Sequence, residues 1–240
     1  MASSLTLRAS VSFNRVRYIA DFQLPRHPTM SAVPKTLLTE AEYRAFERAA
    51  EFRHEFHRGE IFAMAGASES HNLVSGNLFT ELNVQLKGKG CRPYTHDMRV
   101  YSHESKTYTY PDIVVACPPI EFLDDKRDTL LHPQVVIEVL SPSTEAYDRG
   151  RKFDFYREAP SLQQYVLVSQ DSQRAVSYIR QSDGVAWLML PLDDASASIE
   201  FPSLGVSVPL SEIYRDVELS VPPPHETNAA PNERPAVVTS

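Results

Sequence analysis

Tryptophan occurs once and cysteine only twice in the 240 residues. No stretch approaches the roughly 18 consecutive apolar residues that a membrane-spanning helix needs, so no membrane partner is expected. Cys91 and Cys117 lie far apart, and neither has the spacing of a zinc site. A disulfide framework is therefore not expected, and both side chains read as core packing in a protein of the reducing cytoplasm. Basic residues are also short, with Lys+Arg 24 against Asp+Glu 31 and a net charge of -7. The deficit is uneven: residues 1–30 hold Arg8, Arg15, Arg17 and Arg26 against Asp21, which makes them +3. The rest, with 20 basic against 30 acidic residues, is -10. An acidic body argues against coating nucleic acid through counterion release alone, so any such contact must be local or metal-assisted.

A hydrophobic fraction of 42% is enough to fill the core of one domain of moderate size. Two stretches organise it. Tyr110-Pro111-Asp112-Ile113-Val114-Val115 and Val135-Val136-Ile137-Glu138-Val139-Leu140 are short β-branched runs that read as buried strands. Each carries one carboxylate that burial should exclude. Ionised acids are almost never fully buried unless paired or bound to an ion, so Asp112 and Glu138 share one explanation: a divalent cation between neighbouring strands.

Residues 1–29 lack the apolar core of a secretory signal, and Met30 leads straight into a helix start, which suggests the natural beginning. Thr39 and Glu42 form a capping box for a helix running to about Phe52, with Tyr43, Phe46, Ala49 and Ala50 as its apolar stripe. Residues Glu55 to Met64 read as two short strands turning at Gly59, which places Glu55 beside a sheet. Ser68 or Ser70 caps a second helix, in which Val74, Leu78, Leu82 and Leu86 recur and Gly88 or Gly90 closes the end. His71 falls in its first turn, either as a capping or surface histidine or as a donor to a phosphate or a metal-bound water.

A strand over Cys91 to Ser102 and another over Thr107 to Cys117 read as a hairpin, and residues 118–132 as a charged loop. Asp97 belongs to the rim of a site or pairs with Arg99. Thr144 caps a third helix, Glu145 to Glu158, from one face of which Asp148, Lys152 and Tyr156 project. The first two make an ordinary i,i+4 pair, unless their place just after the acidic strand gives them work at a site. Strands over Gln164–Ser169, Ala175–Arg180, Ala186–Leu190 and Ser198–Phe201 follow, with Asp183-Gly184 as a hairpin signal. A short helix at Leu210–Tyr214 closes the domain, and a disordered Pro-rich tail follows from Val221.

Two strand acids and an open cleft match the one or two carboxylates that Mg²⁺ prefers, and Lys152 is the lysine that closely follows Glu138. The ordered series Gly59-Glu60-Ile61-Phe62-Ala63-Met64-Ala65-Gly66, His71, Asn77-Leu78, Cys91, Asp97, Tyr110-Pro111-Asp112, Glu138 to Thr144, Asp148, Lys152 and Tyr156 resembles the Uma2 family. That family is grouped with restriction endonucleases of the PD-(D/E)xK superfamily, and the resemblance covers about residues 35–215. It implies an α/β (α+β) fold, a mixed central sheet flanked by helices, with additional C-terminal strands. The domain is expected at 35–217, between an extension (1–34) and a tail (218–240).

The resemblance further implies Asp112 and Glu138 as metal ligands, the Val139 carbonyl completing the site, and Glu55 as an additional acid. The superfamily's lysine, two residues after the acid, is here Leu140, and Lys152 from the following helix is its substitute. His71 and Tyr156 are expected beside the substrate phosphate or behind the ligands. The expected activity is Mg²⁺- or Mn²⁺-dependent hydrolysis of DNA, for which a homodimer would suit double-strand cleavage. Alternatives are a non-catalytic nucleic-acid-binding or interaction protein on the same fold, and a hydrolase of other phosphoesters.

Overall fold

The structure, a computed structural model, describes residues 37–219. The expectations for the N-terminal extension, for a start at Met30 and for the tail from Val221 lie outside the described residues. Helix α1 (Glu40–Ala49) opens with the capping box: Thr39 accepts from the Glu42 amide, and the Glu42 carboxylate accepts from the Thr39 amide. It ends at Ala49 rather than Phe52, and of the expected stripe it buries Tyr43, together with Glu47, while Phe46 is exposed.

Strands β1 (His54–His57) and β2 (Glu60–Ala63) make the expected hairpin, with Arg58 and Gly59 both at positive φ, 47° and 96°. They join β5 (Thr107–Thr109), β4 (Arg99–Ser102) and β7 (Thr129–Leu130) in a five-stranded sheet ordered β2-β1-β5-β4-β7. The larger sheet has six strands in the order β11-β10-β9-β8-β6-β3. They are β3 (Arg92–Thr95), β6 (Ile113–Ala116), β8 (Val135–Leu140), β9 (Gln164–Ser169), β10 (Ala175–Arg180) and β11 (Trp187–Leu192). Only β8 and β9 run parallel in it, so the sheet is mixed as expected.

The anticipated hairpin of two long strands is instead split between the sheets. A turn at residues 96–98 separates β3 from β4, and Tyr110-Pro111-Asp112 separates β5 from β6. The chain thereby crosses from one sheet to the other next to Asp112. A further strand, β13 (Val206–Pro209), pairs with β12 (Ser198–Phe201).

Alternation along β6, β8 and β9 divides the core. Ile113, Val115, Val135, Ile137, Val139, Val166 and Val168 face α2 (Glu69–Gln85), the β12–β13 pair and the last helix (Leu210–Ile213). Val114, Val136, Leu140, Tyr165 and Leu167 face the other way, towards Tyr156 and Leu162. Glu138 shares that second parity, between Val136 and Leu140. The helical stretch above it, α3, runs over 145–157 as Glu145–Tyr147, Asp148–Lys152 and Phe153–Arg157, the middle five residues wound as a π-helix. A third apolar cluster, Tyr43, Phe56, Tyr101 and Tyr108, sits under α1.

The cysteines correct the sequence reading. The β3–β6 register pairs Arg92 with Ala116, and one residue further along it Cys91 stands opposite Cys117, to which it is disulfide-bonded. They still pack against the core, but the argument from free cysteines for a reducing compartment falls away. No described helix is long and apolar enough to cross a membrane.

Candidate active site

The β6–β8 register pairs Ile113 with Ile137, so its continuation sets Asp112 opposite Glu138. The two strand acids therefore come from directly facing positions on neighbouring strands. Pro111 fits here because β6 begins only at Ile113 and residue 111 has no ladder partner. The Asp112 carboxylate accepts from the Val139 amide at 2.7 Å and meets His71 Nε2 at 3.3 Å. Ser68 caps α2 by accepting from the His71 amide, which holds that imidazole at the mouth of the sheet.

Glu138, 2% exposed, would be costly to bury alone. Lys152 answers it from α3, its Nζ 3.0 Å from Glu138 Oε1, 3.3 Å from Glu55 Oε1 and 3.6 Å from Asp148 Oδ1. Tyr156, one turn on, donates its phenol to Glu138 Oε1 at 3.2 Å. Glu55 also accepts from the Tyr110 amide and from the Tyr147 phenol. Burial works against the charged form of Lys152, but Glu138, Glu55 and Asp148 hold its ammonium well above the ordinary lysine range. Burial drives the Glu138 carboxyl well above the usual carboxylate range, opposed by Lys152 and reinforced by Asp148, Asp112 and Glu55. Burial likewise raises Asp148. At His71 burial disfavours protonation, but the Asp112 hydrogen bond and charge outweigh it and raise the imidazole.

Glu55, His71, Asp112, Glu138, Val139 and Lys152 line one cavity of about 870 Å³. The expected site residues are thus brought together, with one exception. Tyr156 is 3% exposed and does not line the cavity; it stands behind Glu138, where it can position that acid but cannot touch a substrate. Asp97 pairs with Arg53 rather than Arg99, whose buried guanidinium bonds Asp128 and Thr129. Sequence reasoning left Asp148 undecided and passed over Tyr147, which carries no signal beyond its place one residue before Asp148.

Glu55, Asp112, Glu138 and Asp148, four carboxylates, face one ammonium and one imidazole. These are hard oxygen donors in excess of the positive charge present, the chemistry that a hard divalent cation suits. Among the described residues, no three His, Cys, Asp or Glu side chains are grouped as a ready-made metal site. The fit rests on the donor set and on the facing acids.

A protein-family profile, Uma2, described as "Putative restriction endonuclease", matches residues 40–212. Two proteins of Synechocystis sp. (strain ATCC 27184 / PCC 6803 / Kazusa) are similar in sequence. Uncharacterized protein slr1290 is 38% identical over 191 residues, spanning 79% of this chain and 96% of its own. Uncharacterized protein sll1609 is 37% identical over 170 residues, spanning 71% and 96%. The fold is similar to the crystal structure of "a putative nuclease belonging to DUF820" from Anabaena variabilis ATCC 29413. The TM-score is 0.60 at 18% identity, over 74% of this chain and 97% of that one, a likeness of fold.

Proposed function

Starting from the fact that the chain belongs to the Uma2 family, we propose that it is a metal-dependent endonuclease hydrolysing DNA phosphodiester bonds at the Asp112–Glu138–Lys152 cluster. The observation that carries this reading is the placement of Asp112 opposite Glu138 across β6 and β8, with Lys152 3.0 Å from Glu138.

Asp112 and Glu138, with the Val139 carbonyl, would hold Mg²⁺ or Mn²⁺. Such an ion, when bound, supplies positive charge to a phosphoryl oxygen and makes a nearby water more acidic. The chain's own residues do the rest. Lys152, which reaches from α3 to 3.0 Å from Glu138, would take the part of the superfamily's lysine, its ammonium donating to the attacking water and fixing its direction. Glu55 and Asp148 hold that ammonium protonated and in place. The Val139 amide and His71 fix the Asp112 carboxylate, and His71 also faces the cavity, within reach of a substrate phosphate. Tyr156 fixes the orientation of Glu138 from behind. As the water oxygen bonds to phosphorus it releases a proton to solvent, and the bond from phosphorus to the leaving deoxyribose oxygen breaks, that oxygen taking up a proton from solvent.

The reading is tested by incubating supercoiled plasmid and single-stranded DNA with the protein in Mg²⁺, Mn²⁺ or EDTA. Metal-dependent strand scission that EDTA abolishes supports it. Intact DNA in all three, alongside a folded protein, leaves the non-catalytic alternative.

A further inference from the structure

Seven successive residues, Ile61-Phe62-Ala63-Met64-Ala65-Gly66-Ala67, are apolar and largely exposed, and all but Ile61 line the cavity. Burial cannot account for such a run, because β2 is the edge strand of its sheet and Phe62 is 46% exposed. Register gives it a direction. Phe62 is the cross-strand partner of Glu55, so the aromatic ring and the carboxylate that holds Lys152 share one face of the β1–β2 hairpin. Met64, two residues on, continues the same side. The cavity therefore has an exposed aromatic and thioether wall beside the acids.

Polar, uncharged side chains also line the cavity: Asn72 and Ser75 from α2, and Ser143 and Thr144 from the turn before α3. Cationic groups are scarce there. Among the described residues lining the cavity, the only arginine or lysine side chains are Arg151 and Lys152, and Lys152 is ringed by carboxylates. His57, which also lines the cavity, is stacked on Phe155.

A duplex is gripped through many phosphates at once, by basic side chains set along a groove. This body is acidic, and Glu138 and Lys152, 2% and 6% exposed, lie at the bottom of the cavity rather than on a surface. The π-faces of the bases are hidden inside a duplex and free in an unpaired strand, where an aromatic side chain can stack on them without regard to sequence.

Resting on the nuclease reading above, we propose that the cavity takes an unpaired polynucleotide strand. A base stacks on Phe62, with Met64 extending that wall, while the adjoining phosphate reaches the acids. Phe62 is then a specificity-determining residue for single strands over duplex.

The test uses the full chain and one fluorescein-labelled oligonucleotide sequence as single-stranded DNA, single-stranded RNA and duplex DNA. Affinity is read by anisotropy in Ca²⁺, and cleavage is read separately in Mg²⁺ or Mn²⁺. Binding of a single strand about tenfold tighter than duplex, lost about tenfold in Phe62→Ala and restored in Phe62→Trp, is expected for one base–aromatic stack. The DNA and RNA arms identify which sugar is accepted. Duplex bound as well as either single strand, or affinity indifferent to Phe62→Ala, overturns the inference. The two readings fail apart. Cleavage of duplex and single strand alike, indifferent to Phe62, removes this inference and leaves the nuclease. Phe62-dependent binding of single strands without any cleavage removes the nuclease and leaves the cavity's occupant.

Discussion

Lys152 Nζ lies 3.0 Å from Glu138 Oε1, although one side chain descends from the π-helical turn of α3 and the other rises from the centre of a buried strand. Both are almost wholly buried, with side chains 7% and 3% exposed. The pair joins the sheet to its crossover helix.

Removing the ammonium alone should be severe. Lys152→Met leaves Glu138, Glu55 and Asp148 without their common counter-charge, and a loss of about 3–5 kcal/mol is expected for one partner of a buried pair. Lys152→Met with Glu138→Leu should regain part of that stability, because the most buried of the three acids is then removed, while Glu55 and Asp148 remain without their counter-charge. Urea unfolding measures both. A single variant within about 1 kcal/mol of wild type would show that the acids are not ionised against Lys152.

If Asp112 and Glu138 hold a cation, binding must stabilise the native state. At about 100 times its dissociation constant, Mg²⁺ or Mn²⁺ should add about 2.7 kcal/mol, seen as a higher unfolding midpoint at constant ionic strength. Asp112→Asn should abolish the gain. An equal gain in that variant places the cation elsewhere.

His71 faces the cavity and pairs with Asp112, so its removal should affect rate more than folding. His71→Ala is expected to lower kcat about ten- to hundredfold, the usual cost of losing a group that holds a metal ligand in place. The double variant with Asp112→Ala should be no slower than Asp112→Ala alone, and additive losses would give His71 an independent role.

The Arg48 hydrogen bond, then those of Thr129 and the charge of Arg99, hold the Asp128 carboxyl well below the usual range, with burial opposing them. A carboxyl with a depressed folded pKa contributes stability that is full above its unfolded value, about 4, and is lost as pH falls through the folded value. Acid unfolding below about pH 4 should therefore be less steep in Asp128→Asn than in wild type. At neutral pH the same change should cost about 1–2 kcal/mol, kept modest because the carboxylate is about one-third exposed. An unchanged acid limb would show that the pair contributes nothing there.

The facing acids were legible because a carboxylate inside a β-branched run contradicts its surroundings, and Asp112 and Glu138 each do so. The two helix caps, the Gly59 turn and the strands from Gln164 to Arg180 were legible for local reasons, each signal lying within a few residues. Lys152 was a candidate from its place just after Glu138, whereas the part of Glu55 as an additional acid was readable only through the family resemblance, since their meeting depends on the packing of β1 against α3. The split of each long strand at 96–98 and 110–112 was not legible. Alternation passes through both breaks, and what bends the chain is the second sheet waiting on the other side.

Arg99 and Glu47 were invisible for a related reason. A single charge on a short element reads as solvated, whereas Arg99 is enclosed by the rings of Tyr43, Tyr108 and Tyr110, and Glu47 by His54 and the Tyr110 phenol. The disulfide depended on the β3–β6 register, which neither cysteine's neighbours encode.

The most direct test of the account is cleavage by wild type, Asp112→Asn and Glu138→Gln side by side, each shown to be folded, on plasmid and single-stranded DNA in Mn²⁺. The account predicts scission by wild type alone, with losses of at least about a hundredfold in either variant. Scission of equal rate in all three would contradict it, because the reaction would then not belong to the two acids that β6 and β8 set face to face.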